Sequence, residues 1–518
     1  MVDDGDGRLF EVVESEVAVR VSAGAAKKFR SYDQGQSFLL PPSLDDWLPE
    51  GHTARFVSEV VDDMLDLGAI YASHTNATGA PPLDPRLMLK LMIYAYSTGV
   101  TSSREIERRC QVDVAFRWLS ANTAPDYRSL SRFRSRHLNA LDDLFAQVLV
   151  LCSNAGLVKL GRVALDGTKL NASASKHTAM SYGRLVTRIP QIEAEVAKLL
   201  AEAEAMDAAE DAEFGVDRRG DELPAELQTR EGRLAKMREA KAAIEAEAAE
   251  RAAEKAADKA RNAGKNDNEI QAAGEAAAES ATPNPKTQRS FTDADARMMK
   301  TNHGFAYAYN AQAAADEYSQ VIVASYVTQA AVDINQLSIM LERIDLALGA
   351  AGLRTPKRTL ADAGYWSTNN IDAAVETGHD LLVATGRLKH HEHVADAPRG
   401  RIPNNATSRE RMARRLRTKA GRADYARRKA IIEPVFGQMK VKQNAGQLRL
   451  RGLVGAQGEF TLHASLSQPA QTRQRSTARH LLNQPCRVLI APNATLPVAI
   501  DPNRRQEHST RHPPRPLP

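Results

Sequence analysis

From residue 157 onward, the order of strand and helix signals narrows the fold more than any other feature of the chain. A strand signal covers 157–166, a segment of different character covers 190–285, and strand signals resume at 304. In "GFAYAYNAQAAADEYSQVIVASYVTQ", 304–329, two alternating or β-branched runs flank Asp316-Glu317, the pattern of a hairpin. A helical stripe of Leu337, Met340, Leu341, Ile344 and Leu348 follows. Then come a short strand in "RTLADAGYW", a helix around 368–377 and a strand over 380–386. This order predicts a mixed α/β sheet carrying one long insertion.

The insertion is rich in Ala, Glu and Lys and has almost no aromatics. Ile192, Val196, Leu199 and Leu200 keep one helical face, and Leu227, Leu234, Met237 and Ile244 keep another, with Gly220 and Pro224 between. The spacing predicts a helical hairpin, a coiled-coil-like arm over 185–288. A charged spacer has the same composition, since alanine stripes bury little area.

Upstream, 1–45 reads as irregular and 46–152 as helical. Asp84-Pro85 opens a helix with the stripe Leu87, Met88, Leu91 and Met92, and Gly99 suits its stop. Ser102 to Glu105 has the spacing of a capping box. A short helix with Phe116, Trp118 and Leu119 follows. Asp126 then caps one long helix running from Leu130 through Phe133, His137, Leu141 and Leu144 to Val148. Arg128, Arg132 and Arg136 repeat at four-residue steps, a basic stripe that suits DNA phosphates or an ordinary solvated face. His137 has no second His or Cys at ligand spacing and is expected to pack.

The net charge of +5 over 518 residues says little, but its distribution says more. Residues 401–452 hold fifteen Lys and Arg against three Asp and Glu, a balance of +12. Cys110, Cys152 and Cys486 are far apart and form no CxxC pair, which fits a reducing compartment. The acidic start lacks a signal-peptide core, and no apolar run approaches the ~18 residues of a membrane span. A cytoplasmic chain without membrane partners is expected.

Three acids share a pattern. Asp166 ends the apolar run Val163-Ala164-Leu165, Asp362 ends or follows a later strand, and Glu433 stands within the basic segment. Pro434 predicts a helix starting there, with Glu433 at its entrance and favoured by the helix dipole. Three carboxylates in one small site need cations, because like charges raise one another's pKa. Two Mg²⁺ ions would satisfy them, and surrounding Lys and Arg would hold a polyphosphate backbone. That chemistry is phosphodiester cleavage or transfer on nucleic acid. Taken alone, each acid also fits an ordinary cap or turn.

Several stretches resemble one family. "ALDGTKLNASASKH", "TDADARMMKT" with "HGFAYAYNAQAAAD", "LADAGYWS" and "IIEPVFGQMK" with "LRLRG" are similar to bacterial insertion-sequence transposases of the DDE superfamily. So are "LPEGHTARFVSEVV", "DPRLMLKLMIYAYSTGVTSSREIERRC" and "FRWLSA" with "PDYRSLSRFRSRH". The similarity runs from about 37 to 464. It implies an α+β multidomain protein: an α-helical DNA-binding domain over 46–152, then an RNase H-like α/β mixed-sheet catalytic domain over 157–464, interrupted by the insertion.

The resemblance carries the family's three acids onto Asp166, Asp362 and Glu433, as ligands of two Mg²⁺ ions that Mn²⁺ would replace. It carries the basic and aromatic positions around the third acid onto Tyr425, Arg428 and Lys440. Thr168, Lys169 and Asn171 flank the first acid as possible DNA contacts or as polar residues fixing a turn. Asp293 and Asp295 read as caps or supports rather than ligands. Implied partners are double-stranded DNA, as the terminal inverted repeats of the element and as target, and a second copy of the chain in a dimer or higher assembly. In the cell the protein would be nucleoid-associated when on DNA.

After "RGLVGAQGEFTLHASL" the family pattern, an apolar closing helix, gives way to a tail over 465–518 rich in Arg, Pro, Gln and His, expected to be disordered. A frame change near residue 465 or a natural tail would each produce it, and the other reading frames of the gene distinguish them. Two rival functions share the basic surfaces: a catalytically dead DNA-binding derivative, and an RNase H-like nuclease that cuts without joining.

Overall fold

The computed structural model describes residues 43–74, 82–175, 179–214, 225–386, 396–397 and 399–467. Residues 1–47 form one unit, of which the described part holds the short helix α1 (Leu44–Trp47). The second unit begins with a helical layer. It comprises α2 (Thr53–Glu59), α3 (Gly68–Ala72), α4 (Pro85–Ser97), α5 (Ser103–Val112), α6 (Val114–Leu119), α7 (Tyr127–Arg136) and α8 (Leu138–Asn154). Asp84 caps α4 through the Arg86 N–H, and Gly99 follows it at φ +80°.

Two local expectations fail here. The Ser102 side chain makes no capping hydrogen bond, because Glu105 turns instead to Arg108 at 2.7 Å and Arg109 at 3.0 Å. The single helix after Asp126 is two helices, broken at His137. The His137 ring is buried between His74, at 5.4 Å, and Phe133, at 4.6 Å, and so packs as expected.

The sheet begins at β1 (Arg162–Asn171), and a small ribbon of β2 (Ala179–Ser181) and β3 (Gln288–Ser290) closes the base of the insertion. The insertion contains three helices rather than a hairpin: α9 (Tyr182–Phe214), α10 (Ala225–Asn262) and α11 (Asp267–Glu279). Leu185, Ile189, Ile192 and Val196 of α9 meet Leu234, Met237, Ala240 and Ile244 of α10 in a separate apolar cluster. Glu247 of α10 pairs with Arg289 and Arg297 and ties the arm to the sheet side.

The sheet continues with β4 (Arg297–Thr301), β5 (Gly304–Asp316) and β6 (Ile322–Thr328). After α12 (Leu337–Ala350) come β7 (Arg358–Ala361), α13 (Thr368–Glu376) and β8 (Leu381–Val383). The strand order is β4-β5-β1-β7-β8, and β6 also pairs with β5. β1, β7 and β8 are parallel, while β5 runs antiparallel to β1. The mixed sheet and the hairpin ending at Asp316 agree with the sequence reading. β1 does not end at Asp166, however. Its ladder with β5 runs on to Asn171, so Asp166 is mid-strand.

Three helices close the chain's described part: α14 (Ser408–Arg417), α15 (Lys419–Lys442) and α16 (Gly452–Ser467). α15 packs on β1, β5 and β7. It runs through Pro434 instead of starting there, so Glu433 is in mid-helix and the dipole argument for it lapses. A proline leaves the carbonyl four residues earlier without its helical donor. That carbonyl, Ala430 O, accepts from the Gln320 side chain at 2.9 Å.

α16 is buried on every side because it serves two cores. Ala456, Phe460 and Ala464 face the sheet cluster, and Leu462 and Leu466 face the helical layer. Glu459, fully buried, accepts from the Arg449 and Leu450 N–H groups at 2.7 and 2.8 Å and from the Tyr96 hydroxyl at 3.3 Å. Arg134 in turn donates to the Tyr96 oxygen at 2.6 Å. The turn after α4 also lies against the end of α15, where a Cβ on Gly99 would stand 2.8 Å from Lys442 O. The tail beyond 467 lies outside the described residues. No described helix is long and apolar enough to cross a membrane.

Glu459→Ala takes the acceptor from the partly buried Arg449 and Leu450 N–H groups and from the buried Tyr96 hydroxyl. It is expected to lower unfolding stability by about 2–4 kcal/mol, read from the denaturant midpoint, with little change in slope.

Candidate active site

The β1–β7 ladder sets the site. Its register pairs Val163 with Thr359 and Ala164 with Leu360. β7 then stops at Ala361, and continuing the register by two residues brings Asp362 level with Asp166. Neighbouring strands lie ~4.8 Å apart, so the two carboxylates share one sheet edge. Asp362 caps the turn that follows, its Oδ1 accepting from Gly364 N at 2.8 Å.

Asp166 is enclosed and has one cationic partner. Arg428 Nη1 donates to its Oδ2 at 2.9 Å, with the arginine side chain 10% and the aspartate side chain 23% exposed. Gly167 N donates to the other oxygen at 2.9 Å. Burial pushes the Asp166 carboxyl above the usual aspartate range, Arg428 and the Gly167 N–H pull it down, and the charge of Asp362 raises it again. The two acids repel here, and one guanidinium pairs with the first of them.

Glu433 is exposed on α15, seven residues before Lys440 and so ~20° away from it around the helix. Lys440 Nζ donates to Thr168 Oγ1 at 2.6 Å, which puts that edge of the helix beside β1. Among the described residues, no three His, Cys, Asp or Glu side chains stand close enough together to hold a metal ion. The geometry thus brings Asp166 and Asp362 together and leaves Glu433 on the neighbouring helix edge. Tyr425 packs, half-buried, on the sheet core, and its hydroxyl pKa is raised by burial and then moderated by Arg428.

Lys169 Nζ lies 3.6 Å from Asp333 Oδ1, and burial lowers its pKa against that attraction. The backbone of Asn171 bonds to Gly446 O and Leu448 N, extending β1 toward the loop after α15. Asp293 and Asp295 act as caps: they accept from Gly452 N at 3.2 Å and Leu453 N at 2.9 Å, at the start of α16.

Residues 42–136 match the transposase domain (DUF772) family, and residues 283–467 match the transposase DDE domain family. Together they cover more than half of the chain. The chain belongs to the insertion-sequence DDE transposases. No curated protein matches it, and no solved structure does.

Asp362, Arg428, Glu433 and Lys440 of the transposase fall inside the DDE match, while Asp166 falls between the two matches. The assignment of Asp166 therefore rests on the strand register. Arg128, Arg132 and Arg136 fall inside the first match and are exposed on α7. Arg128 donates to the Tyr127 hydroxyl at 3.2 Å and Arg136 to Ser73 O at 2.5 Å. Arg134, on the same helix, is the buried one.

Much of the +12 segment holds the fold together. Arg415 pairs with Asp380, Arg411 caps the Asn404 and Ala406 carbonyls, and Asp424 joins Arg162 to Arg358. Sequence reasoning missed Asp333, Asn310 and Gln312. The last two are fully buried carboxamides two residues apart in a run that is otherwise apolar. Two polar groups on one face of a buried strand were the available signal.

A divalent cation needs Asp166 ionised. Because its folded pKa is raised, proton competition on acidification sets in above the pH at which an ordinary aspartate titrates. Arg428→Gln removes the guanidinium that a cation must displace from Asp166. Mn²⁺ binding followed by the ion's spin resonance is therefore expected to be tighter in Arg428→Gln than in wild type at neutral pH. Unchanged or weaker binding contradicts the pairing.

Proposed function

We propose that this transposase cleaves phosphodiesters at the ends of its own mobile element and joins the freed 3′-hydroxyls to target DNA. The observation that carries the reading is the register that sets Asp166 level with Asp362, beside the Arg428 guanidinium. The strand order and directions support an RNase H-like core under that edge.

The donor set fits hard divalent ions. It offers carboxylate oxygens without thiol or imidazole, it is partly open to solvent, and a cationic group already sits against Asp166. Asp166, Asp362 and Glu433 would hold Mg²⁺ or Mn²⁺, with Glu433 contributed from the edge of α15. Such ions, when bound, supply Lewis acidity toward the phosphoryl oxygens.

The chain's own residues orient the reaction. Lys440, Lys169 and Thr168 line β1 and the facing helix edge, where they would take the phosphates flanking the scissile bond. Arg428 would leave Asp166 for a phosphate oxygen when DNA enters. In the first displacement, water oxygen bonds to phosphorus as the bond to the 3′-oxygen breaks, and that oxygen leaves as a hydroxyl. In the second, the oxygen of that hydroxyl bonds to a target phosphorus as the bond to the target's own 3′-oxygen breaks, and that oxygen leaves as a hydroxyl. Positioning and charge stabilisation suffice for both, without a covalent protein intermediate.

The exposed arginines of α7 would hold the element's terminal repeat in the DNA-binding layer. Joining two ends calls for two copies, with the α9–α11 arm available to link them. The work would take place on the DNA of the bacterial cytoplasm.

The test is a Mg²⁺-dependent cleavage and joining assay on DNA carrying the gene's own flanks. Wild type is expected to yield joined products, and Asp362→Asn to lose at least ~10³-fold in rate while still binding DNA. Cleavage without joining would indicate a nuclease. Binding without products in either protein would indicate a decayed copy.

A further inference from the structure

We propose that Asp333 is a positioning residue of this site, acting through Lys169. The inference rests on the transposase reading for its catalytic consequence, but not for its geometry. Asp333 comes from the loop between β6 and α12, far in sequence from each of the three acids. Its Oδ1 accepts from Asn310 Nδ2 at 2.7 Å and Gln312 Nε2 at 2.8 Å, and Lys169 Nζ stands 3.6 Å from the same oxygen.

The orientation of Gln312 is dictated. The Tyr365 hydroxyl, on the turn that Asp362 caps, donates to Gln312 Oε1, so the amide nitrogen must face Asp333 and Asn310. A hydrogen-bonded chain therefore runs from the turn after the second acid, through β5, to Asp333, and an ion pair carries it on to the lysine three residues after the first acid. Asn370 fastens the two loops together by donating to the Ile334 and Tyr365 carbonyls.

The glycines after the two acids point the same way. A Cβ on Gly167 would stand 2.3 Å from Gln312 Nε2 and 2.9 Å from Asp333 Oδ1. A Cβ on Gly364 would meet Asp362 Oδ1 at 3.0 Å and Asp333 Oδ2 at 3.6 Å. Gly167 thus leaves room for Gln312 and Asp333, while at Gly364 the tight neighbour is Asp362 itself and Asp333 lies at ordinary contact distance. The two ion pairs are complementary in charge: Arg428 neutralises Asp166, and Asp333 neutralises Lys169. Without Asp333 the ammonium would lose its counter-charge and its fixed place on β1. Held by it, the ammonium stays available to a DNA phosphate.

The test uses the full chain with Asp333→Asn, which keeps the shape, and Asp333→Ser, which keeps an oxygen acceptor without the charge. Thermal melts establish that each variant folds. Lysine acetylation read by peptide mass spectrometry comes first and needs neither DNA nor turnover. Loss of the counter-charge raises the free-amine fraction, so labelling of Lys169 is expected to rise ~3- to 10-fold in a folded variant, with Lys440 unchanged as internal control. No rise at Lys169, or an equal rise at both lysines, overturns the assignment.

In the joining assay at saturating DNA, Asp333→Asn is expected to lower the rate ~10- to 100-fold with DNA affinity within ~3-fold of wild type. Combined with Lys169→Met it should cost nothing beyond Lys169→Met alone. Fully additive losses would mean a merely structural role and would also overturn the proposal. If wild type makes no products, the functional reading fails, and the labelling result alone decides the role of Asp333.

Discussion

The parallel pairing of β1 with β7 is the constraint on which the site depends. It is short, and its shortness matters. Because β7 stops at Ala361, Asp362 is released from the ladder while still level with Asp166. β1 meanwhile continues against β5, so its next residues, Thr168 and Lys169, are held rigidly beside the acids. One strand thus carries a carboxylate and a hydroxyl, Asp166 and Thr168, on the face toward α15, and an ammonium, Lys169, on the other face. Two carboxylates so placed repel, and the protein answers with Arg428 from the helix that crosses the sheet.

That helix is held at its middle and at its last turn by other parts of the chain. Gln320 from the β5–β6 turn satisfies the carbonyl that Pro434 leaves open, so α15 keeps its line through Glu433. Gly99 lets the helical layer approach the last carbonyl of α15, and Glu459 and Tyr96 join α16 to the same layer. The helical layer and the catalytic sheet are coupled through buried polar contacts as well as apolar ones. Such contacts fix relative position more strictly than apolar packing alone, since each donor needs its particular acceptor.

Much of the sheet was legible because its strands are buried runs with clear turns, and Asp84, Gly99 and Asp316 announced their elements correctly. The end of β1 was not legible. A strand ends where its partner ends, and the partner, β5, lies more than a hundred residues away. The start of α15 was misread because a proline's local effect was offset by a side chain from another loop. The Ser102 capping box failed because Glu105 had two arginines nearer to hand. Of the candidate site, Asp166, Asp362, Arg428 and Lys440 were marked by their motifs. Asp333 was not, because its role comes from contacts with β1, β5 and the Asp362 turn, none of them near it in sequence. The basic segment misled in degree: many of its arginines hold loop carbonyls and aspartates.

The central claim is that the edge formed by Asp166 and Asp362 holds a divalent cation in the place now neutralised by Arg428. A crystal of the full chain soaked in Mn²⁺, with anomalous diffraction recorded, tests it most directly. The account predicts an anomalous peak between the Asp166 and Asp362 carboxylates and an Arg428 side chain turned away from Asp166. Saturating Mn²⁺ with no peak there, and the Arg428–Asp166 pair intact, would contradict it.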